Sequence, residues 1–201
     1  MSIQASSSLI VVKVGGSLVR TGCHRAVLAV LARACRPIVI VPGGGALVDH
    51  VRRLQKQSGF SDQRAHQMAL AGMAEMAQVM AGLSPRFVVA NTPLQIKRAV
   101  ACRQVVIWSP NEMMANDFSL PHDWSVTSDA LSACLAERLA VPNCLLVKSH
   151  AVAPGWSWPV LARRGTVDPW FGRVLQRAGL KGGIRGAREL GQLAQDVDAV
   201  Q

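Results

Sequence analysis

A lysine, two runs of glycine and an aspartate carry the chemical signal of this chain. Lys13 interrupts SLIVVKV, a run otherwise apolar on both faces, and stands two residues before the pair Gly15–Gly16. Burying an unpaired ammonium inside a sheet is costly, whereas an ammonium at a strand's carboxyl end can reach a bound phosphate. The ordinary role of such a lysine, guarding an exposed edge strand, fits poorly with a strand that reads as central. A second apolar run, PIVIV, leads through Pro42 into Gly43, Gly44 and Gly45, and a helical pattern follows. Each strand–glycine–helix junction leaves free N–H groups at a helix start, and glycine lets an anion approach them. Two such cradles on strands joined by one crossover could hold two phosphates face to face, a geometry suited to moving a phosphoryl group between them. A tight turn explains a single Gly–Gly; the pair of junctions together with Lys13 favours function. Asp129, in VTSDALSA, either complements the dipole of a helix capped by Thr127 or Ser128 or orients a lysine or a magnesium ion. Lys148 closes CLLVK, also at a carboxyl end, where a solvated terminal lysine is the common case. Neither GxxxxGK[ST] nor GxGxxG occurs, so this is not a P-loop chain.

Such residues need a scaffold that brings strand ends together. Strand-like and helix-like stretches alternate: SLIVVKV, a helix with Val27, Leu28, Leu31 and Ala34 at helical spacing, PIVIV, the helix ALVDHVRRLQKQ, and the long helix DQRAHQMALAGMAEMAQVMAG. RFVVA, PLQIKRAVA, QVVIW, TSDALSACLAERLA and CLLVK continue the alternation. The pattern predicts an α/β chain, a three-layer αβα sandwich around a mostly parallel sheet, with ligands beyond the carboxyl ends of the strands. Met68, Met73, Met76 and Met80 crowd the long helix and mark it as buried or subunit-facing. Arg64 and His66 lie near its start, ordinary surface positions unless that end faces the glycine triplet. From Ser149 onward the chain is rich in Gly, Pro and Arg and shows no readable period.

Composition narrows the classes. Of 201 residues half are apolar and 17% charged, as in a globular chain. No apolar run approaches the roughly 20 residues of a membrane helix, and we expect a cytoplasmic protein that does not engage a membrane. Five cysteines, odd in number and without CxxC spacing, read as free thiols rather than a zinc set; no protein-held metal is expected. The net charge is +10. Arg20, Arg25, Arg33 and Arg36 precede the first acid, Asp49, and Arg163, Arg164, Arg173, Arg177, Lys181, Arg185 and Arg188 crowd a later stretch. Such a balance suits phosphate-bearing partners. With no tyrosine and four phenylalanines, stacking platforms for nucleic acid are scarce, so nucleic acid ranks last among them.

Taken in order, VVKVGGSLV, IVIVPGGGALVDHVR, TSDALSACLA and LLVK resemble the amino-acid kinase superfamily over about residues 9–148. AHQMALAGM and DWSVTSDALSACLA are similar to its small branch, which contains the aminomethyl-furan phosphate kinases of methanofuran and methylofuran synthesis. The resemblance implies one domain over 1–201, with an acceptor-binding part of about 1–125 and a nucleotide-binding part of about 126–201. It implies ATP-dependent phosphorylation of a small phosphorylated acceptor to a diphosphate, (5-(aminomethyl)furan-3-yl)methyl phosphate first among the candidates, within one-carbon cofactor synthesis. Lys13, Gly15, Gly16 and Ser17 would bind the β- and γ-phosphates of ATP, with Mg2+ entering on the nucleotide, and Thr127, Ser128 and Lys148 would lie on the nucleotide side. Gly43, Gly44 and Gly45 would receive the acceptor, helped by Arg52 and Arg64. His66 stands where uridylate kinases carry an acid, which implies a different acceptor. Asp129 would hold the catalytic lysines, Lys13 and Lys148, and Lys181 is the approximate match to a second late lysine of larger members. A homodimer or higher homo-oligomer through the Met-rich helix 62–82 is also implied. The chain departs from the pattern at VKSHAVAPG, where larger members have TDVDG-like text, and at GLKGGIRGARELG, which only approximates a glycine–methionine stretch. A carboxylate kinase, another small-molecule kinase of the superfamily, and a non-catalytic nucleotide- or oxyanion-binding oligomer are the alternatives.

Overall fold

The computed structural model describes residues 9–110 and 119–198. Among them, β1 (Ile10–Val14), β2 (Ile38–Pro42), β3 (Phe87–Ala90), β4 (Val105–Trp108), β5 (Asn143–Lys148) and β6 (Lys181–Gly186) form one sheet in the order β3-β4-β2-β1-β5-β6. Every pairing is parallel. The helices are α1 (Ser17–Arg20), α2 (His24–Arg33), α3 (Gly45–Ser58), α4 (Asp62–Ala81), α5 (Pro93–Ala101), α6 (Ser128–Arg138), α7 (Trp158–Arg163), α8 (Phe171–Ala178) and α9 (Leu190–Asp198). The α/β sandwich expected from the alternation is therefore present.

Each face of the sheet carries its own core, because side chains alternate along a strand. Val11, Val39, Val41, Val106, Cys144 and Leu146 pack in one cluster with residues of α4, α5, α6 and α8. Ile10, Val12, Val14, Ile38, Ile40, Leu145 and Val147 face the other way, toward α2 and α9. All five residues of β1 are buried, so Lys13 lies in a central strand and not at an edge. The chain moves from β1 to β2 on one side and later returns to place β5 on the other. That reversal opens a crevice at the carboxyl ends of β1 and β5, the usual ligand position in such sheets.

Of the two readings of the methionine helix, buried or subunit-facing, the methionines themselves follow the buried one. Met73, Met76 and Met80 are buried within the chain's own two cores, and Met68 is half-buried. The exposed positions of α4 are Asp62, Gln63, Arg64, Ala71, Glu75, Gln78 and Val79, so Met73, Met76 and Met80 answer intrachain packing.

The stretch after Ser149 that showed no period folds into α7, α8, β6 and α9. β6 is an edge strand, KGGIRG, with a single β-branched residue. The place of a Gly182 Cβ is filled by Leu175 and Trp158, so these glycines serve packing and hide the strand from a propensity reading.

Candidate functional site

Strand parity brings the two lysines together. Lys13 lies two residues after Val11 and Lys148 two after Leu146, so both point to the face that α6 covers. Asp129, the second residue of α6, meets them there. Lys13 Nζ is 2.8 Å from its Oδ1, and Lys148 Nζ donates to its Oδ2 at 2.5 Å. Lys13, Asp129 and Lys148 are only 6%, 3% and 9% exposed. Burial by itself would raise the Asp129 carboxyl, but the two ammoniums outweigh it and hold the group below its ordinary range. Burial pulls Lys148 down to about 8, reinforced by neighbouring Lys13 and opposed by Asp129. Two buried cations thus share one anion, and the surplus positive charge stands at the carboxyl edge, where an anion would complete it. Each oxygen of Asp129 lies within ion-pair distance of one lysine, a placement in which the carboxylate can orient both ammoniums.

The glycine junctions lie side by side at this edge, and part of their glycine requirement is mutual. A Cβ on Gly16 would stand 2.2 Å from the nitrogen of Gly45, and a Cβ on Gly43 2.3 Å from that of Gly16. The two loops touch backbone to backbone, and no other residue fits there. Gly45 adds a positive φ of 56°. The Gly15 and Gly43 amides are engaged by Val147 O and Val14 O. The amides of Gly16, Ser17, Gly44 and Gly45, at positions where a helix start leaves donors unmatched, have no backbone acceptor among the described residues. Ser17 Oγ donates to Ser149 Oγ at 3.2 Å, tying the first junction to the loop after β5.

A residue that sequence reasoning missed fixes Asp129 in place. Asp168, 7% exposed, accepts at Oδ2 from Thr127 N, Thr127 Oγ1 and Ala130 N at 2.9, 2.8 and 2.9 Å. At Oδ1 it accepts from Trp170 N and Phe171 N at 3.0 and 2.8 Å. One carboxylate therefore closes the N-termini of both α6 and α8. Burial, then nearby Asp129, raises its carboxyl pKa against the pull of these hydrogen bonds. Asp–Pro before a helical pattern is a turn signal, but its reach across 41 residues leaves no local trace. Thr127 caps α6 as expected, accepting from Asp129 N, and Ser128 is its half-buried first residue.

On the acceptor side the placement is mixed. The part of α4 that abuts the triplet is Gly72–Met76: Gly72 packs on Leu47 and Val48, and Met76 reaches Gly45. Arg64 and His66 lie roughly 9–12 Å further along the helix. Exposed Arg64 Nη1 donates to Gln67 Oε1. His66 is buried and stacks on His122, with centroids 4.6 Å apart. Arg52 lies 4.4 Å over the Trp124 ring, whose Nε1 donates to Gln55 Oε1. His122 and Trp124, unremarked in the sequence, thus lay a segment across α3 and α4. Lys181 is not brought to the cluster. It opens β6 opposite Asn143, while Lys148 lies opposite Gly186, so about 16 Å of strand separates it from the carboxyl edge. Along β6 runs a cavity of about 820 Å³ lined by Trp156, Trp158, Gly182, Gly183, Arg188 and Gln192 among others. Gly186, at the end of β6, packs against His150 and Ala151 just beyond Lys148, while the cavity's own lining holds none of Lys13, Asp129 and Lys148.

Residues 8–151 match the family model described as the amino acid kinase family. Over 141 residues the chain is 28% identical to [5-(aminomethyl)furan-3-yl]methyl phosphate kinase of Methanocaldococcus jannaschii, a match covering 68% of this chain and 63% of that protein's length. The uridylate kinase of Archaeoglobus fulgidus superposes with a TM-score of 0.67 at 16% identity over 94% of each chain. The UMP kinase of Bacillus anthracis gives 0.71 at 13% identity, over 94% of this chain and 91% of that one. At these identities the two structures share the fold.

Proposed function

The chain belongs to the amino acid kinase family, and on that premise we propose that it is an ATP-dependent phosphotransferase that converts a small phosphorylated acceptor to a diphosphate. The first candidate acceptor is (5-(aminomethyl)furan-3-yl)methyl phosphate, the chemistry carried in the name of the Methanocaldococcus jannaschii relative. The observation that carries the proposal is the buried Lys13–Asp129–Lys148 cluster beside two abutting glycine junctions.

In this reading the γ-phosphoryl P–O bond to ADP breaks as an acceptor phosphate oxygen forms a new one. That oxygen is ionised at neutral pH, so no general base is required. The protein's part is to align the two oxygens and to neutralise charge on the moving group. Lys13 and Lys148 supply the charge, Asp129 fixes their position, and the Gly16 and Ser17 amides receive the donor phosphates. The Gly44 and Gly45 amides face the acceptor, with Arg52 and the His66–His122 wall beyond them. The cavity along β6, lined by Trp156 and Trp158, would take the base. Magnesium would enter on the nucleotide's phosphates, since Asp129 is committed to the lysines, and would bridge and neutralise them.

The test is ³¹P NMR of the chain with Mg–ATP and, separately, the furan phosphate, isopentenyl phosphate and acidic amino acids. The expected product is ADP with a coupled diphosphate pair from the furan phosphate, and Lys13→Ala should fold yet turn over about 10²–10³-fold more slowly. Acyl phosphate from an amino acid would reassign it as a carboxylate kinase. ATP bound but never consumed would overturn catalysis altogether.

A further inference from the structure

The carboxyl-edge cluster leaves most of the chain's positive charge without a role. Arg25, Arg33 and Arg36, which precede the first acid in the sequence, gather with Arg86 and Arg103 at the other end of the sheet, where β2, β3 and β4 begin. A groove of about 530 Å³ there is lined by Arg33, Arg36, Arg86 and Arg103, with Cys35 and Gln104 between them. An adjoining groove of about 380 Å³ is lined by Arg25, Arg33 and Arg86 over Leu28 and Phe87. The two share Arg33 and Arg86, and neither has a carboxylate in its lining. Asp198 touches the rim, where it accepts from Cys35 N at 3.0 Å. Among the described residues, Arg25, Arg33, Arg86 and Arg103 form no ion pair with a carboxylate.

The groove is held in shape from beneath. Arg86 Nη1 donates to Ala32 O at 2.6 Å and to Ala34 O at 3.4 Å, and Nη2 donates to Arg103 O at 3.3 Å. One guanidinium thereby closes the end of α2 and binds the turn before β2 to the turn before β4. Arg33, in the last turn of α2, and Arg103, just past α5, are fixed at a common wall while their side chains stay exposed. Like charge gathered at Arg25, Arg33, Arg86 and Arg103, with no carboxylate pair to them among the described residues, disfavours the compact chain, and an anion in the groove removes that repulsion. Guanidinium forks match phosphate oxygens bidentately.

We propose that this groove is a second anion site, separate from the catalytic cluster, and that it takes a small polyphosphate: two or more phosphates in succession on a small molecule. Two confluent grooves that share their arginines suit an elongated anion, and their volumes are those of small-ligand pockets. A nucleic-acid strand is disfavoured, since the single aromatic in the lining, Phe87, is 7% exposed and offers no stacking face. The strand length puts the site roughly 13–17 Å from Lys13 and Lys148, and the assignment does not depend on the kinase reading.

Calorimetry with inorganic tripolyphosphate near physiological salt tests it, on the wild-type chain, on Lys13→Ala, and on an Arg33→Gln/Arg103→Gln variant that leaves Arg86 in place. The wild-type and Lys13→Ala proteins should both retain a tripolyphosphate site that the double variant weakens at least tenfold. The double variant should keep its thermal midpoint and its turnover of ATP. Equal tripolyphosphate binding by all three proteins overturns the site. So does a single-stranded oligonucleotide that displaces tripolyphosphate with affinity falling steeply in salt, which would make the face a nucleic-acid surface. Loss of ATP turnover in every protein, with the groove titration intact, would sink the kinase reading alone.

Discussion

At the carboxyl edge Lys13 and Lys148 are buried and share Asp129; at the amino edge Arg33, Arg86 and Arg103 are exposed and, among the described residues, pair with no carboxylate. The same fold therefore concentrates cations twice by opposite means. Lysines can be buried because an ammonium is compact and its proton can shift, and they then depend on a single carboxylate for position and charge. Arginines stay charged in any environment, and here, among the described residues, they do without such a partner, Arg86 donating to backbone carbonyls instead. The difference teaches which edge is brittle. Chemistry requires fixed geometry in a dry place, and the carboxyl edge has it at the cost of resting on one aspartate.

The sharpest way to break this contrast is Asp129→Asn. It strands two ammoniums in a buried crevice, and breaking a buried pair in this way typically costs about 3–5 kcal/mol. Urea unfolding should show a loss of that order, together with near-complete loss of phosphoryl transfer. Arg33→Gln at the other edge should stay within about 0.5 kcal/mol, as an exposed change does. If Asp129→Asn costs no more than Arg33→Gln, the buried cluster is not what its geometry implies.

A smaller effect separates the two edges by pH. Lys148 titrates near 8, against an ordinary value of 10.5. Its ammonium is the working form, so kcat/KM for ATP should fall as pH rises through about 8. Stability moves the other way. Between about 8 and 10.5 the unfolded chain holds a proton that the folded Lys148 has released, so this group makes the fold more stable as pH rises through that window. Activity and thermal midpoint should thus diverge above pH 8. Tripolyphosphate binding at the arginine groove should not fall over the same range, since the arginines stay charged. Parallel loss of all three would point to general unfolding instead.

Legibility followed the range of the interactions. Lys13, Lys148 and the glycine junctions could be read because strand parity and strand–glycine–helix order are local, and the alternation of elements through Lys148 gave the α/β sandwich for the same reason. Asp129 was legible as an acid that complements its helix dipole or orients a lysine or a magnesium ion, and the identity of its two lysines only through the resemblance. The need for Gly16 and Gly43 was legible, but its main physical cause was not: each glycine makes room for the other's loop, a contact between distant parts of the chain. Lys181 was misplaced because β6, a glycine-rich edge strand, hides its register. Asp168, His122 and Trp124 act on residues tens of positions away, and nothing in their neighbours announces that.

Asp168 gives the finest division of the carboxyl edge, between groups that meet the phosphates and the group that holds them still. Its Oδ2 takes three donors from the start of α6, while Oδ1 takes two from the start of α8. Asp168→Asn can keep an oxygen toward only one of these sets. The larger set retains it, so the amide nitrogen faces the Trp170 and Phe171 N–H groups. Donors then meet donors at α8, a cost of about 1–3 kcal/mol, while α6 and Asp129 keep their hold. Denaturation should register that loss, with turnover reduced less than tenfold and the titration near pH 8 retained. Asp168→Ala releases both helix starts, and turnover should then fall further than stability alone accounts for, because Asp129 is no longer aimed at its lysines. Equal turnover in the Asn and Ala variants, both folded, would mean that α6 orients Asp129 without Asp168 and that the tether serves α8 alone.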